Sequence, residues 1–332
     1  MSMLSVPVPI TPTTITLLVS SVLLLLAAFR PFTKKWDPRG QHCYITGGSA
    51  GLGLASAVLL TTAGAHVSIN SRFSSTESAS SPDQILKSYS FSLSDPIAAE
   101  NALKASSEPH GGKAPDAVFL CAGSAHLGYF VEQTPESLKR GMSSSYWVAA
   151  YSALAYTKQI VKEKKKGRLT FVSSVLGYMS FVGYSTYSPA KHALRGLAET
   201  LRSELQLYNT PVHICFPATI YSPGYIEENK TKPSLTLKIE ETDEGQTPEQ
   251  VALGLLKGVQ NGYFHITTDI LGNIFRSSTR GATPGNNIIL DWVYGLVGIM
   301  SVGFRSQWWV FWLRWFLKDR IAYTAKERRR DD

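Results

Sequence analysis

Three residues that could act together on a carbonyl group lie close together in the sequence. Ser174 closes an apolar, β-branched run in the stretch Gly167-Arg168-Leu169-Thr170-Phe171-Val172-Ser173-Ser174, which predicts a buried parallel strand. Tyr187 and Lys191 stand four positions apart where a helix is predicted to begin, so we expect both side chains on one helix face. A nearby ammonium lowers a tyrosine pKa from its usual value of about 10. Tyr187 could then donate the proton that carbonyl reduction needs, and Ser174 could donate a hydrogen bond to the same oxygen.

A glycine-rich turn lies near the start of the predicted fold. A strand predicted at residues 42–46 leads into Thr46-Gly47-Gly48-Ser49-Ala50-Gly51-Leu52-Gly53, and an alanine- and leucine-rich helix follows. Glycines permit a tight turn and let backbone N–H groups approach a phosphate at the helix N-terminus. The pattern therefore predicts a nucleotide-binding turn that consists of Gly47, Ser49, Ala50, Gly51, Leu52 and Gly53.

The Thr-Gly-x-x-x-Gly-x-Gly turn, Ser174 and the Tyr187-x-x-x-Lys191 pair together resemble the short-chain dehydrogenase/reductase family. The resemblance implies an α/β, doubly wound Rossmann fold with about seven parallel strands. It implies that Tyr187 donates a proton, that Lys191 lowers its pKa and binds the nicotinamide ribose, and that Ser174 orients the carbonyl. The other implied cofactor contacts are Leu93, Gly123, Pro217 and Ser222.

The cofactor is expected to be NADPH. The second predicted strand ends at Asn70, and no acidic residue follows it to bind the ribose 2′-hydroxyl of NAD. Arg72 could instead pair with a 2′-phosphate. The sequence departs from the family at Ser92, Cys121 and Ser145, where relatives commonly carry Asp, Asn and Asn.

The charge distribution indicates contact with a membrane. The net charge is +8, and its basic excess flanks apolar segments, which favours a membrane surface over nucleic acid as a partner. Residues 15–29 are uncharged and, with the residues before them, approach the roughly 20 residues that span a bilayer. Basic residues follow at once, which predicts an anchor with the main domain in the cytosol. The alternative is a cleaved signal peptide, but no basic residue precedes the segment.

A second apolar region follows the predicted domain. Residues 288–304 are strongly apolar, and residues 308–317 are rich in Trp and Phe but contain Arg314. This composition favours an interfacial or re-entrant segment, while a helix buried in the domain or in a dimer interface is the alternative. The predicted organisation is a transmembrane anchor with its basic flank at 1–35, a Rossmann domain at 36–280 and a hydrophobic, membrane-associated segment with a basic tail at 281–332.

Two segments that are expected to lie on the substrate side of the fold resemble a smaller group of enzymes within the family. Tyr221-Ser222-Pro223-Gly224-Tyr225 and Glu227-Glu228-Asn229-Lys230-Thr231-Lys232-Pro233 resemble the 3-ketodihydrosphingosine reductases. These enzymes reduce 3-ketosphinganine to sphinganine at the cytosolic face of the endoplasmic reticulum. The resemblance thus implies a long-chain keto-base lipid as substrate and the endoplasmic reticulum membrane as location.

The long polar segment 225–245 is expected to form a mobile lid over the substrate. Glu227, Glu228 and Glu240 could meet the ammonium of a sphingoid base, and apolar lid residues could cover its chain. The apolar residues concerned are Tyr225, Leu235 and Leu237.

Two alternative functions remain open, and so does the oligomeric state. A microsomal hydroxysteroid or retinol dehydrogenase would carry the same catalytic residues. A non-catalytic NADP(H)-binding membrane protein would explain the departures at Ser92, Cys121 and Ser145, but the intact Ser-Tyr-Lys set argues against it. The family resemblance also implies a homodimer or higher homo-oligomer through the two long helices. The histidines and cysteines show no metal-ligand spacing, so no metal is expected.

Overall fold

The computed structural model divides the chain into two compact units, Met1–Lys35 and Trp36–Asp332, and the second contains the fold described below. The predicted anchor at 15–29 lies outside the described residues, apart from residues 16, 20 and 21. The structure describes residues 11–13, 16, 20–21, 35–71, 83–241, 243–279 and 281–300.

The described residues contain seven strands in one sheet, and every pairing is parallel. The strands are β1 (His42–Thr46), β2 (His66–Asn70), β3 (Leu86–Tyr89), β4 (Ala117–Leu120), β5 (Leu169–Val172), β6 (Val212–Cys215) and β7 (His265–Ile266). Their order is β3-β2-β1-β4-β5-β6-β7. Strands β2 and β3 are added on one side of β1, and strands β4 to β7 are added on its other side. This reversal of strand order leaves a crevice at the carboxyl ends of β1 and β4. The predicted doubly wound fold is confirmed.

The helices that follow or connect the strands are α1 (Gly51–Thr62), α2 (Pro96–Ser107), α3 (Pro135–Met142), α4 (Val148–Glu163), α5 (Ser188–Glu204), α6 (Pro223–Asn229), α7 (Ser234–Glu240), α8 (Pro248–Gln260) and α9 (Ile270–Thr279). Residues 288–300 are also helical and are called α10 here. Local sequence sets several of the boundaries. Thr247 is the N-cap of α8 and forms a capping box with Gln250.

Helices cover both faces of the sheet because successive strand residues point to opposite sides. In β1, Cys43 and Ile45 pack in a cluster with residues of α1 and α8. Tyr44 packs on the other face, in a cluster with residues of α2, α4 and α5. All five residues of β1 are buried, which explains why this strand is a near-continuous apolar run.

The helical stretch from Pro135 to Glu163 is not one continuous α-helix. One turn of π-helix, Ser143–Trp147, separates α3 from α4. The hydroxyls of Ser144 and Ser145 donate to the carbonyl oxygen of Ser124, at 3.1 Å and 2.9 Å, and the Ser124 N–H donates to the Ser144 carbonyl at 3.2 Å. These three bonds draw the turn towards the loop after β4, and π-turns of this kind are frequent at functional sites.

The polar segment 225–245, predicted to form a mobile lid, contains most of α6 and all of α7. The N-cap Ser222 begins α6, since its hydroxyl accepts a hydrogen bond from the Tyr225 N–H at 3.3 Å. The lid is therefore a pair of short helices.

A buried ion pair holds α10 against the domain. Arg276 of α9 and Asp291 of α10 approach to 2.6 Å, with side chains 3% and 1% exposed. Asp291 also accepts a hydrogen bond from the Asn286 N–H at 3.0 Å. Among the described residues, no helix has both the length and the apolar character needed to cross a membrane. The predicted boundary at residue 280 stays a prediction, and the Trp-rich stretch at 308–317 lies outside the described residues.

Replacing Asp291 with Asn should destabilise the domain, because Arg276 would keep its charge in the interior without a partner. We expect the free energy of unfolding in urea to fall by about 3–5 kcal/mol. The control is Glu241→Gln, which breaks the exposed pair of Glu241 with Lys238 and should cost no more than about 1 kcal/mol. Equal losses in the two variants would contradict the assignment of the Arg276–Asp291 pair as a structural tie.

Candidate active site

A cavity of about 1700 Å³ lies at the carboxyl ends of the strands, where the order of the sheet reverses. Arg72 lies outside the described residues, and Lys191 is buried behind the cavity wall at 4% exposure. The other residues predicted from the sequence for the cofactor and the carbonyl line this one cavity: Gly47, Ser49, Ala50, Gly51, Leu52, Gly53, Leu93, Gly123, Ser174, Tyr187, Pro217 and Ser222.

The glycine-rich turn leaves no room for side chains at two positions. Gly47 has φ +73°, and a Cβ atom there would lie 2.8 Å from the Ala122 Cα. A Cβ atom on Gly53 would lie 2.2 Å from the carbonyl oxygen of Gly47. Only glycine fits such close backbone contacts, so the turn keeps its own backbone open to the cavity.

The start of α1 has backbone donors to offer. Its N-cap residue, Ala50, makes no side-chain capping bond, so the first N–H groups of the helix lack a side-chain acceptor. The Asn70 carbonyl accepts a bond from the Gly47 N–H at 2.8 Å and fixes the turn to the end of β2. A glycine cradle beside an uncapped helix end fits the pyrophosphate of a dinucleotide.

The structure brings together the three residues predicted to act on the carbonyl. Ser174 and Tyr187 lie near enough for the Ser174 hydroxyl to lower the pKa of the Tyr187 phenol, and the Ser174 Oγ accepts a bond from the Leu176 N–H at 3.2 Å. Tyr187 is the N-cap of α5 and lies one helical turn before Lys191, whose Nζ is 5.3 Å from the centre of the Tyr187 ring. The Ser174 and Tyr187 hydroxyls therefore both face the cavity and can bind one carbonyl oxygen.

Lys191 is held by the end of β5. Its Nζ donates to the Val172 carbonyl at 3.0 Å. Burial lowers the pKa of Lys191 to about 8, because the charged form loses its hydration. The ammonium still predominates at neutral pH.

The predicted direction of the Tyr187 pKa shift is wrong for the protein's own groups. Burial of the phenol and the charge of Glu228 raise the pKa of Tyr187, and the nearby Ser174 hydroxyl opposes them only in part. The Lys191 ammonium, 5.3 Å from the ring centre, is not among the groups that shift this pKa. A raised pKa keeps the phenol protonated at neutral pH, and the hydroxyl can then act as an acid.

The departures from the family pattern also have defined surroundings. The Ser145 hydroxyl is engaged with the Ser124 carbonyl at 2.9 Å. Cys121 lines the cavity, and burial raises the pKa of its thiol to about 12. Ser92 lines the cavity and lies 3.2 Å from the Ser94 hydroxyl. Within the described part of the chain, no contact made by Ser92, Cys121 or Ser145 lies between the Ser174 and Tyr187 side chains.

The lid contributes a cluster of ionisable groups that sequence analysis identified only in part. The Tyr184 hydroxyl lies 2.9 Å from Glu228 Oε1 and 2.6 Å from Glu240 Oε1. Lys232 Nζ lies 3.0 Å from Glu228 Oε1 and 2.6 Å from Glu240 Oε2, and its side chain is 1% exposed. We call Tyr184, Glu228, Lys232 and Glu240 the lid cluster. In the sequence, the four-residue spacing of Glu228 and Lys232 was the pattern that could have predicted the lid cluster.

The predicted apolar lid residues have different positions. Tyr225 lines the cavity, Leu235 is buried and Leu237 is exposed. Apolar lining comes instead from elements that sequence analysis did not connect with the site, including the loop before α5 and the helices α9 and α10. The residues are Met179, Phe181, Leu271, Ile274, Phe275 and Val297, and Ile239 of the lid helix α7 adds to them.

Comparison with known proteins agrees with this geometry. The family model described as short chain dehydrogenase matches residues 41–233. The chain is 43% identical over 304 residues to a 3-ketodihydrosphingosine reductase of Cryptococcus neoformans, covering 88% of this chain and 91% of that protein. It is 33% identical over 278 residues to a 3-dehydrosphinganine reductase of Danio rerio, covering 80% and 82%.

A solved structure shows the same fold. A short chain dehydrogenase/reductase of Burkholderia phymatum, in complex with NAD, superposes with a TM-score of 0.62 at 16% sequence identity. The match covers 74% of this chain and 95% of that one. The chain therefore belongs to the short-chain dehydrogenase family, and it is similar over most of its length to the 3-ketodihydrosphingosine reductases within that family.

Proposed function

We propose that the protein uses NADPH to reduce 3-ketosphinganine to sphinganine, a step of sphingolipid synthesis. The observation that carries the proposal is the neighbouring pair of Ser174 and Tyr187, which lines a cavity with a nucleotide-binding turn and extensive apolar lining. The similarity to reductases named for this substrate in a fungus and a fish supports it.

The size of the cavity suits a cofactor together with a lipid. Ligand pockets commonly have volumes of about 300–1,000 Å³, and this cavity is larger, at about 1700 Å³. The glycine-rich turn offers backbone donors, whereas Leu271, Ile274 and Val297 offer apolar surface. Each buried methylene contributes about 0.8 kcal/mol, so a long alkyl chain can supply much of the binding energy.

The residues around the carbonyl divide the chemistry between them. When bound, the nicotinamide cofactor supplies the hydride. Tyr187 donates the proton to the carbonyl oxygen, and Ser174 donates a hydrogen bond that holds this oxygen in place. Lys191 lies beneath Tyr187 and would hold the nicotinamide ribose. Gly47, Gly51 and Gly53 keep the turn open for the pyrophosphate.

Tyr187→Phe should lose most of its turnover of 3-ketosphinganine but still bind NADPH, since the ring stays and the donor is removed. General acid catalysis is worth about 10²–10⁴-fold, so kcat should fall by that factor. NADPH consumption by detergent-solubilised protein measures turnover, and nucleotide fluorescence measures binding. The control is Tyr151→Phe, which alters a tyrosine of α4 outside the cavity lining. Near-normal turnover by Tyr187→Phe would refute the mechanism, and better turnover of a steroid ketone or retinal would change the substrate.

Specificity for NADPH is proposed from the sequence after β2. No acidic residue is available there for the ribose 2′-hydroxyl, and Arg72 follows two positions after the end of the strand. A guanidinium forms charge-assisted hydrogen bonds with a phosphate, which favours the 2′-phosphorylated cofactor.

Arg72→Ala should raise the KM for NADPH far more than the KM for NADH. Losing a hydrogen bond to a charged group costs roughly 1.5–3 kcal/mol, equivalent to a tenfold to hundredfold change. Lys87→Ala, which removes an exposed charge from β3, serves as the control. If both cofactors respond equally to Arg72→Ala, Arg72 does not recognise the 2′-phosphate.

We also propose that the protein is a resident of the endoplasmic reticulum membrane with its catalytic domain in the cytosol. The uncharged segment 15–29 and the basic residues after it support this orientation. Exposed Trp292, Ile299 and Met300 on α10 add apolar surface suited to an interface with lipid. The family resemblance supports a homodimer through α4 and α5 as a further proposal.

The orientation can be tested in sealed microsomes. An epitope inserted near residue 240 should be digested by added protease, because the lid would lie on the cytosolic side. Asn229, which begins an Asn-x-Thr sequon, should carry no glycan. A protected epitope or a glycosylated Asn229 would place the domain in the lumen.

A further inference from the structure

The lid cluster has more negative than positive charge. Two carboxylates, Glu228 and Glu240, surround one ammonium, Lys232, and the net charge of the three is −1 when all are ionised. The single proton of the Tyr184 hydroxyl faces both carboxylates. Acceptors thus exceed donors within the cluster, and an additional cation would be stabilised there.

The cluster lies beside the proton donor of the reaction. Tyr184 and Tyr187 have ring centres 6.0 Å apart. Both tyrosines and all three charged residues of the cluster line the same cavity. The charge of Glu228 also contributes to the raised pKa of Tyr187, which shows that this carboxylate acts electrostatically at the Tyr187 phenol.

Glu228 has the most available oxygen in the cluster. Its contacts with Tyr184 and Lys232 both use Oε1, and the described part of the chain offers Oε2 no hydrogen bond. Glu240 uses one oxygen for Tyr184 and the other for Lys232. The neighbouring Glu227 is 69% exposed and pairs with Lys230 at 2.6 Å, so the Lys230 ammonium balances its charge at the protein surface.

We propose that Glu228 is a specificity-determining residue that binds an ammonium on the carbon next to the ketone. The inference rests on the proposed function, because 3-ketosphinganine carries its amine on the carbon adjacent to its carbonyl. Once Tyr187 and Ser174 hold the carbonyl oxygen, the amine must lie within a few bond lengths of it. An ammonium brings three donors and one positive charge to a cluster in which acceptors exceed donors and the net charge is −1.

The competing explanation is that the cluster only holds the lid in place. Lys232 follows α6, Glu240 ends α7, and Tyr184 lies in the loop before α5, so the same contacts also tie these elements together. A purely structural role affects every substrate alike. Recognition of the amine affects only substrates that carry it, so the two explanations can be separated by matched ketones.

The test compares 3-ketosphinganine with 1-hydroxyoctadecan-3-one, which has the same chain and lacks the amine. The wild-type protein should have a higher kcat/KM for the amino ketone, by about 10- to 100-fold, the size expected of a hydrogen bond to a charged group. Glu228→Gln should remove most of this preference, and the readout is the ratio of kcat/KM for the two ketones, because loss of the carboxylate charge near Tyr187 acts on both. Glu227→Gln is the matched control and should preserve the preference.

Glu228→Asp retains the charge on a shorter side chain and should retain part of the preference. Equal loss on both ketones in Glu228→Gln would indicate a structural role and overturn the inference. Equal efficiency of the wild-type protein on the two ketones would overturn it without any variant, even if Glu228→Gln fails to fold. If the wild-type protein reduces neither ketone, the proposed function fails, and the inference with it.

Discussion

The attachment of Lys191 to the end of β5 determines where the proton donor lies. The Lys191 Nζ donates to the Val172 carbonyl at 3.0 Å, and the Lys191 carbonyl accepts a hydrogen bond from the Ser173 hydroxyl at 3.0 Å. Lys191 is thus hydrogen-bonded through both its side chain and its carbonyl to two consecutive residues, Val172 and Ser173, at the end of β5. Burying an ammonium is costly, and its hydrogen bond reduces that cost. The cost is visible in the pKa of Lys191, which burial lowers to about 8.

The remaining geometry of the site follows from this attachment. Because the start of α5 is fixed beside β5, its N-cap Tyr187 lies next to Ser174, which follows the end of β5 in the sequence. A Cβ atom on Gly177 would lie 3.1 Å from the Lys191 carbonyl, so the turn after Ser174 and the helix are closely packed. The glycine-rich turn approaches from β1, across the reversal in strand order. Parallel strands bring these separate parts of the sequence to one edge.

The fold and the central residues could be predicted because their signals are local. Buried apolar runs indicate the strands, and the glycine spacing and the Tyr187–Lys191 spacing each occupy one turn or one helix. The lid cluster depends on contacts between distant residues, since Tyr184 and Glu240 are 56 positions apart. The π-turn depends likewise on hydrogen bonds from Ser144 and Ser145 to Ser124. The sign of the Tyr187 pKa shift was wrong because burial of the phenol, which the spacing cannot express, is the largest cause, and the Lys191 ammonium is not among the groups that shift this pKa.

The lid cluster and the proton donor are linked by charge. Burial and the charge of Glu228 both disfavour the phenolate of Tyr187, so the phenol is protonated before a substrate is bound. An ammonium that paired with Glu228 would offset the carboxylate charge felt at Tyr187. The pKa of Tyr187 would then fall as the amino ketone binds, and the phenol would become a stronger acid next to the carbonyl that it protonates. An amine-free ketone leaves the carboxylate uncompensated, so the same contact that selects the substrate also favours proton transfer to it.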